Sequence, residues 1–474
     1  MNKESFLTLE ETLACTDGIH VLGNSQSFYF SSVQTDSRLV ECGTFFIPLI
    51  GEFQDGHKYI PQAVEKGASA VFISRSNYEK DSSFFVGVHQ KNPEVNFIAV
   101  ENTMTALQKI AGRYVEKFPA LIKIAVTGSS GKTTTKEILA SILAQKYNVI
   151  SNKGNLNSET GLPLSVFNIR SEHQVGLFEM GMNRVDEIKE ISAVLKANYA
   201  IVTNIGTAHI GILGSRENIA KEKANVFNYF DGNGIGVIPS ADDYADFLGK
   251  KVKGKVVLYG DDTQSVKFIE DLGLEGTKFS IDGIETVLSL PGRYNYKNAL
   301  GAVALAQELG LSAQQIADGI SSLKPMFGRS QVLRGRFTIV QDCYNANPDS
   351  MEKSLEFVSS VAVKDGKKKI FVLGDMLELG EKSKEEHEKV GEMAVFSDAD
   401  EIIFIGTEMK YAFDKAKKSS DKKVMSFESK DDETMKKVAS EINSFATEGS
   451  IILIKGSRGI GLERLTELLS GGNK

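Results

Sequence analysis

A glycine-rich loop at residues 126–135, Val-Thr-Gly-Ser-Ser-Gly-Lys-Thr-Thr-Thr, follows a β-branched run and precedes a helical pattern. Such a loop curls its N–H groups around phosphate oxygens at the positive end of the helix. A ligand-free strand-to-helix turn would explain the glycines, but not the lysine and threonine that follow them. We therefore predict a phosphate-binding loop made of Gly128, Ser129, Ser130, Gly131, Lys132, Thr133 and Thr134. Lys132 would reach the terminal phosphates and Thr133 would bind Mg²⁺.

The alternation of short β-branched runs with longer amphipathic segments after residue 120 predicts an α/β fold with a parallel sheet. A second series after residue 327 has strand-like runs at 337–340, 370–373, 401–405 and 451–454. The first hundred residues have their own strand-like runs, at 44–49 and 70–73. Residues 254–289 suggest short antiparallel strands that extend the middle part. We predict three domains, at 1–102, 103–327 and 328–474.

The charge and composition of the chain exclude several classes of protein. A net charge of -7 argues against general nucleic-acid binding, which normally needs a basic surface. Residues 1–11 lack the apolar centre of a signal peptide, and no later apolar run has membrane-spanning length. The three cysteines form no CxxC pair, which suits a reducing compartment. We expect a cytoplasmic protein without membrane insertion.

Polar residues also follow other predicted strands, where an α/β sheet binds its ligands. Glu179 comes directly after the run 176–178 and would be a hard oxygen ligand for Mg²⁺; the alternative is an ordinary surface glutamate. His209 ends the segment Thr-Asn-Ile-Gly-Thr-Ala-His, although a lone histidine is usually structural or solvated. Residues 217–227 contain Lys221 and Lys223 and, by periodicity alone, form an amphipathic helix with exposed lysines.

The short form of the loop, T-G-x-x-G-K-T, resembles that of the Mur ligase and folylpolyglutamate synthetase superfamily. Val126 stands where the general phosphate-loop pattern has glycine. The resemblance implies that His209, in T-N-x-x-x-x-H, lies near a second metal ion. It also implies that Lys223, in A-K-x-K-x-x-x-F, is carbamylated to become an anionic ligand. A GTPase is disfavoured, because the nearest guanine-recognition match, residues 152–155, ends in Asn rather than Asp.

Two later segments extend the resemblance to the nucleotide and the second substrate. Residues 290–300 are similar to the element G-x-H-N-x-x-N-x-x-A-A of the Mur ligases, which implies adenine contacts from Asn295 and Asn298. Tyr294 replaces the usual histidine there, and without the resemblance both asparagines would be interpreted as helix caps. Residues 342–350, Asp-Cys-Tyr-Asn-Ala-Asn-Pro-Asp-Ser, are close to a signature of family members that add D-alanyl-D-alanine. The residues implied in this region are Arg329 and Asp342 for the nucleotide, and Asn345 and Asn347 for the incoming dipeptide; a plain turn is the alternative for the last two.

The resemblance runs from about residue 36 to residue 458, nearly the whole chain. Ser37 and Arg38 would hold a diphosphate, and Asn157 lies in a loop that faces the acceptor substrate in the family. The implied architecture is a small α/β UDP-sugar-binding domain, a central P-loop parallel-sheet ATPase domain and a C-terminal Rossmann-like α/β domain. We expect a monomer.

The activity that the resemblance implies is ATP-dependent amide formation through an acyl phosphate, with ATP and Mg²⁺ bound. The implied small-molecule substrates are UDP-N-acetylmuramoyl-tripeptide and D-alanyl-D-alanine. Two alternatives remain. One is another enzyme of the superfamily, which the segment 344–348 opposes; the other is a P-loop regulatory protein, which would not need Glu179, His209 and Lys223.

Overall fold

The computed structural model describes residues 5–362, 366–420 and 422–470. The sequence prediction that residues 1–11 are not a signal peptide therefore falls partly outside the described residues. Contacts within the chain divide it into two compact units. The first comprises Met1–Ala125, Tyr147–Ala200 and Asn225–Gly234. The second comprises Val126–Lys146, Ile201–Ala224 and Ile235–Lys474.

The first part of the chain, as far as residue 115, contains a mostly parallel sheet and five helices among the described residues. Its strands are β1 (Ile19–Leu22), β2 (Ser32–Gln34), β3 (Thr44–Phe46), β4 (Ala68–Ser74) and β5 (Asn96–Val100), in the order β1-β5-β4-β3-β2. Only the β1–β5 pair is antiparallel among these described pairs. The helices are α1 (Leu9–Thr16), α2 (Ile60–Glu65), α3 (Arg75–Lys80), α4 (Ser82–Lys91) and α5 (Thr103–Val115). The strand predicted at 44–49 ends at Phe46, shortly before Pro48, which has no N–H for a ladder hydrogen bond.

The middle of the chain contributes a sheet in the order β11-β10-β9-β6-β8-β7. These strands are β6 (Ile122–Thr127), β7 (Val149–Ser151), β8 (Val175–Glu179), β9 (Tyr199–Val202), β10 (Gly234–Pro239) and β11 (Gly254–Tyr259). The helices are α6 (Lys132–Leu143), α7 (Gly161–Val166), α8 (Glu187–Leu195), α9 (Ile210–Leu213), α10 (Arg216–Ala224) and α11 (Ala245–Gly249). The strand and helix predicted on either side of the phosphate loop are confirmed as β6 and α6.

The short strands predicted for residues 254–289 are confirmed, and they belong to two different sheets. An antiparallel sheet is formed by β12 (Val266–Asp271), β13 (Thr277–Ile281) and β14 (Ile284–Leu288). In contrast, β11 joins the larger sheet beside β10. Its Tyr259 is buried and its hydroxyl donates to the carbonyl oxygens of Val202 and Thr203, both at 3.2 Å. Two helices follow, α12 (Arg293–Glu308) and α13 (Ala313–Ser321).

The last part of the chain is a separate α/β sheet in the order β15-β16-β20-β17-β18-β19. Its strands are β15 (Gln331–Arg334), β16 (Thr338–Asp342), β17 (Lys369–Gly374), β18 (Glu401–Ile405), β19 (Lys423–Phe427) and β20 (Ile451–Lys455). The β15–β16 pair is antiparallel and the other pairs are parallel, which confirms the Rossmann-like prediction. The helices are α14 (Pro348–Ser360), α15 (Ser383–Phe396), α16 (Met409–Ser419), α17 (Asp432–Phe445) and α18 (Glu463–Leu469).

Short 3₁₀ helices complete the description. They span Ser25–Ser27, Ser37–Leu39, Gly56–Tyr59, Asn225–Phe227, Gly273–Glu275, Gly380–Lys382 and Arg458–Ile460. Apolar side chains fill both faces of the last sheet, with Phe371 and Leu373 on one face and Val372 and Ile454 on the other. Because the strands are buried on both faces, their carboxyl ends are the places where polar side chains become available.

Candidate active site

The phosphate loop lies between β6 and α6, as its sequence predicts. Gly131 is the N-cap of α6 and has a left-handed φ of 78°, a conformation that favours glycine. A side chain at this position would also overlap the side-chain oxygen of Asn298. No side chain caps α6 in the described structure, and the N–H groups and positive end of a helix N-terminus favour phosphate oxygens. The Lys132 ammonium donates to the carbonyl oxygen of Gly128 at 3.0 Å, which folds the lysine back over the loop.

The polar residues directly after β9 hold this loop in shape. Thr203 Oγ1 donates to the carbonyl oxygen of Ser130 at 2.6 Å, and Asn204 Nδ2 donates to the same oxygen at 3.0 Å. In return, Asn204 Oδ1 accepts from the Ser130 N–H at 3.1 Å. The sequence places Thr203 and Asn204 in the segment that ends at His209 but does not by itself predict this role. Their position directly after β9 could have indicated it, because the carboxyl ends of adjacent strands lie at one edge of an α/β sheet.

Lys223, His209 and Lys132 share one electrostatic environment. Lys223 is fully buried, whereas the Lys221 side chain is 56% exposed, so the interpretation of α10 as a helix with exposed lysines holds for Lys221 only. Burial lowers the pKa of His209, and the positive charges of Lys132 and Lys223 lower it further, against the opposing effect of Glu378. The structure thus brings Lys132, from the phosphate loop, into the electrostatic environment of His209, which Lys223 also influences.

Glu179 and Asn157 meet at the end of β8, within the first unit. Glu179 is buried, so its interpretation as an ordinary surface glutamate is wrong. Asn157 Nδ2 donates to Glu179 Oε1 at 2.6 Å. The Glu179 N–H donates to Asn152 Oδ1 at 2.9 Å, which fixes the backbone that carries the carboxylate. A metal candidate and a substrate candidate are therefore direct neighbours.

The donor types proposed for Mg²⁺ are chemically suited to an ion that also binds nucleotide oxygens. Among the described residues, no group of three or more His, Cys, Asp or Glu side chains is arranged to hold a metal ion. Mg²⁺ commonly takes one or two carboxylates together with substrate phosphates rather than a complete protein cage. A threonine hydroxyl, a glutamate, a carbamylated lysine and phosphate oxygens are donors of this kind.

The two asparagines proposed for adenine lie on the first turns of α12. The N-cap of this helix is Gly292, so the alternative interpretation of Asn295 and Asn298 as helix caps is wrong. Asn295 is buried, and its Nδ2 donates to the carbonyl oxygen of Pro291 at 2.8 Å. Tyr294, which replaces the usual histidine, has its hydroxyl 2.7 Å from Ser330 Oγ. Burial raises the pKa of Tyr294 well above its usual range, so this residue is a neutral hydrogen-bonding group.

Asp342 ends β16 and is the centre of a polar network in the third domain. The buried Lys455 ammonium lies 2.5 Å from Asp342 Oδ2, and the hydroxyl of Ser354 donates to the same oxygen at 2.8 Å. The Ser330 N–H donates to Asp342 Oδ1 at 3.2 Å. Arg329, the other nucleotide candidate, has its guanidinium carbon 4.2 Å from the centre of the Tyr344 ring.

The asparagines proposed for the dipeptide have different local roles. Asn347 is the N-cap of α14: its side chain accepts from the Ser350 N–H at 2.9 Å, and Pro348 follows at the first helical position. Asn345 is exposed, and its Oδ1 accepts from the Ala346 N–H at 2.9 Å. Helix capping thus explains part of the motif, and Asn345 has the more accessible side chain.

The diphosphate candidates lie at the start of a 3₁₀ helix in the first unit. Ser37 is buried, and its hydroxyl donates to Gln62 Oε1 at 2.6 Å. The Arg38 side chain is 81% exposed and is paired with Asp36 at 2.6 Å. Hydrogen bonds from Arg38 lower the pKa of Asp36 to about 2. The Arg38 guanidinium is therefore exposed to solvent while it is paired with Asp36. The Ser37 hydroxyl makes a hydrogen bond within the fold, in addition to any role in binding a substrate.

Three segments of the chain match domains of one family. Residues 29–115 match the Mur ligase family catalytic domain, 126–306 the Mur ligase middle domain, and 328–458 the Mur ligase glutamate ligase domain. The chain belongs to the Mur ligase family. This confirms the three-domain architecture expected from the sequence; the residue boundaries of the domains remain predictions.

Individual relatives cover nearly the whole chain. UDP-N-acetylmuramoyl-tripeptide–D-alanyl-D-alanine ligase of Treponema pallidum is 39% identical over 464 residues, which are 98% of this chain and 99% of the relative. MurF from Acinetobacter baumannii has a similar structure, with a TM-score of 0.83, 27% identity and 98% coverage of both chains. MurF ligase from Thermotoga maritima, solved in complex with ADP, has a TM-score of 0.78 and 27% identity, and covers 93% of this chain and 97% of its own.

In the described part of this chain, no helix has the length and apolar character needed to cross a membrane.

Proposed function

We propose that this chain is an ATP-dependent ligase that joins D-alanyl-D-alanine to UDP-N-acetylmuramoyl-tripeptide in peptidoglycan precursor synthesis. The full-length similarity to the Treponema pallidum ligase supports the choice of substrates. That similarity carries the proposal, and the phosphate loop at the start of α6, with the Lys132 ammonium folded over it, supports the phosphoryl chemistry. We further propose a cytoplasmic monomer with domains at 1–102, 103–327 and 328–474.

The first step that we propose moves the γ-phosphoryl group of ATP to the terminal carboxylate of the tripeptide. The bond from the γ-phosphorus to the β–γ bridging oxygen breaks as a carboxylate oxygen bonds to that phosphorus, giving ADP and an acyl phosphate. Lys132 and the loop N–H groups would stabilise negative charge on the transferring group. When bound, Mg²⁺ supplies further charge neutralisation at the phosphate oxygens. Its proposed protein ligands are Thr133, Glu179, His209 and carbamylated Lys223.

The second step is attack by the dipeptide amine on the acyl carbon, with loss of phosphate and a proton. The side chains that we propose for positioning the substrates are Asn345 and Asn347 for the dipeptide, Ser37, Arg38 and Asn157 for the UDP-linked substrate, Asn295 and Asn298 for adenine, and Arg329 and Asp342 for the nucleotide. Because water would hydrolyse the acyl phosphate, the third domain has to cover it before the amine reacts.

Two other activities compete with this proposal. A sister ligase of the superfamily would share the phosphate loop but use a different carboxylate and amine. A regulatory nucleotide-binding protein would bind ATP without consuming it in the presence of the substrates. The exposed Asn345 and the capped turn that follows it are features of the segment that favours the dipeptide-adding activity.

The test is Mg²⁺-dependent phosphate release from ATP, with UDP-N-acetylmuramoyl-tripeptide and D-alanyl-D-alanine supplied singly and together. We expect release only with both, together with a product heavier by the dipeptide residue. Turnover only with a dipeptide-linked nucleotide and a free amino acid, or with a folate and glutamate, would assign the chain to a sister activity. No turnover with any of these pairs would support the regulatory alternative.

A further inference from the structure

Two carboxylates of the third domain contact the segment that carries His209. Asp349, on the first turn of α14, accepts from the Thr207 N–H at 2.8 Å and from the Thr207 hydroxyl at 3.1 Å. Glu378, which follows β17, has its Oε2 2.9 Å from His209 Nδ1. All these residues belong to the second unit. The third domain is therefore attached on both sides of a residue proposed to bind metal.

The backbone segments that carry His209 and Glu378 lie close to each other at this contact. His209 and Glu378 both have left-handed φ angles, of 64° and 67°, which are uncommon outside glycine and often occur at functional sites. Gly211 lies so close to Leu379 that an added Cβ would be 2.5 Å from the carbonyl carbon of that residue. The two segments thus meet backbone to backbone, which places the Glu378 carboxylate at the imidazole ring.

A histidine that binds a metal through one ring nitrogen usually donates its other N–H to a carboxylate, which sets its tautomer and orientation. The Glu378 carboxylate lies beside Nδ1, 2.9 Å away, and Nε2 is the other ring nitrogen and the one left for a metal. Among the described residues, nothing meets full hydrogen-bond geometry at this Nδ1. Such bonds are often poorly aligned before substrates bind and tighten in the complex.

We propose that Glu378 is a positioning residue that orients His209 through Nδ1, so that attachment of the third domain completes the metal-binding histidine at the nucleotide. This inference rests on the proposed function, because it takes His209 as a metal ligand. It links the domain that brings the amine to the site that makes the acyl phosphate. Phosphoryl transfer is then favoured when the amine-binding domain is in place.

The experiment uses the full chain labelled with ¹⁵N in its histidine rings. With six histidines in the chain, the His209 signals are assigned from their loss in His209→Gln. We expect Nδ1 of His209 to be the protonated ring nitrogen in the wild type, and a mixed or reversed tautomer in Glu378→Gln. The matched control is Glu381→Gln, which changes an exposed carboxylate three residues further on and should leave these signals unchanged.

A second measurement follows Mn²⁺ binding in the presence of a non-hydrolysable ATP analogue. Loss of a carboxylate that orients a metal-binding histidine typically costs about 10- to 100-fold in metal affinity, and we expect this range for Glu378→Gln. Asp349→Asn is the comparison variant, because it weakens the contact between the third domain and Thr207 without changing a group at the imidazole ring. Its effect therefore measures domain attachment alone, without any effect on the orientation of His209. If both variants have equal, small effects and the tautomer stays unchanged, Glu378 only attaches the domain and the proposal is wrong.

Gly211→Ala gives an independent check that leaves every charge in place. Its added methyl group pushes the two backbone segments apart, so it should shift the His209 signals in the same direction as Glu378→Gln. Unchanged signals in both variants would overturn the proposal. Wild-type turnover with both substrates tests the function separately: if it is present, the failure concerns Glu378 alone, and if it is absent, the proposed function itself fails.

Discussion

Replacing Lys455 by methionine tests the polar network of the third domain. Lys455 is buried and only 16% of the Asp342 side chain is exposed, so the change leaves a largely desolvated carboxylate with two neutral donors, the Ser354 hydroxyl and the Ser330 N–H. Removing one partner of a buried ion pair typically costs about 3–5 kcal/mol. We take the lower end, about 3 kcal/mol, because the two remaining donors still stabilise the charge.

The assay is thermal unfolding of the full-length chain, followed by a signal from the third domain. For a domain of this size, about 3 kcal/mol corresponds to a decrease in Tm of roughly 6–12 °C. Lys368→Met is the matched control, because Lys368 lies 3.4 Å from Asp400 and is 38% exposed. An exposed pair of this kind contributes about 0–1 kcal/mol.

A double-mutant cycle with Asp342→Asn isolates the ion pair. Because the amide carries no charge, Lys455→Met should cost about 2 kcal/mol less in that background than in the wild type. The KM for ATP should rise in both single variants if Asp342 contacts the nucleotide. Equal Tm values for Lys455→Met and Lys368→Met would refute the reasoning, because a buried pair would then behave like a surface pair.

Three further predictions concern the active site and the first domain. Lys132→Ala should lower kcat by roughly 100-fold or more, since it removes charge compensation at the transferring phosphoryl group; near-normal turnover would contradict the phosphate-loop assignment. Lys223→Ala should lose most activity and regain part of it with added short carboxylic acids, which would occupy the position of the carbamate; full activity without them would remove this lysine from the mechanism. The stability of the first domain should fall as the pH drops below about 6.5. The reason is that burial lowers the pKa of His57 and its Nε2 accepts from the Ser74 N–H at 2.9 Å, so the unfolded chain binds the proton first. His57→Gln should flatten this pH dependence in urea titrations, and an unchanged slope would show that another group is responsible.

Some parts of the site were predictable because they depend on short-range order. The phosphate loop, β6 and α6 follow from neighbouring residues, since glycine, lysine and threonine act within one turn of chain. The turn at 345–350 was recognisable for the same reason, although its Asn347 proved to be a helix cap as well as a substrate candidate. The choice of Lys223 over Lys221 came from spacing to Phe227, and its burial agrees with that choice.

The sequence by itself determined the class of fold and the position of the phosphate loop, because period, turn chemistry and motif spacing are local properties; the resemblance to the Mur ligases implied most of the other candidate residues. Only the tertiary structure decided which of these residues meet. Thr203 and Asn204 reach the loop because adjacent strands end at one edge, and Glu378 reaches His209 across 169 positions of chain because two loop backbones pack closely. Contacts of this kind depend on how separate elements pack together, which no local pattern records.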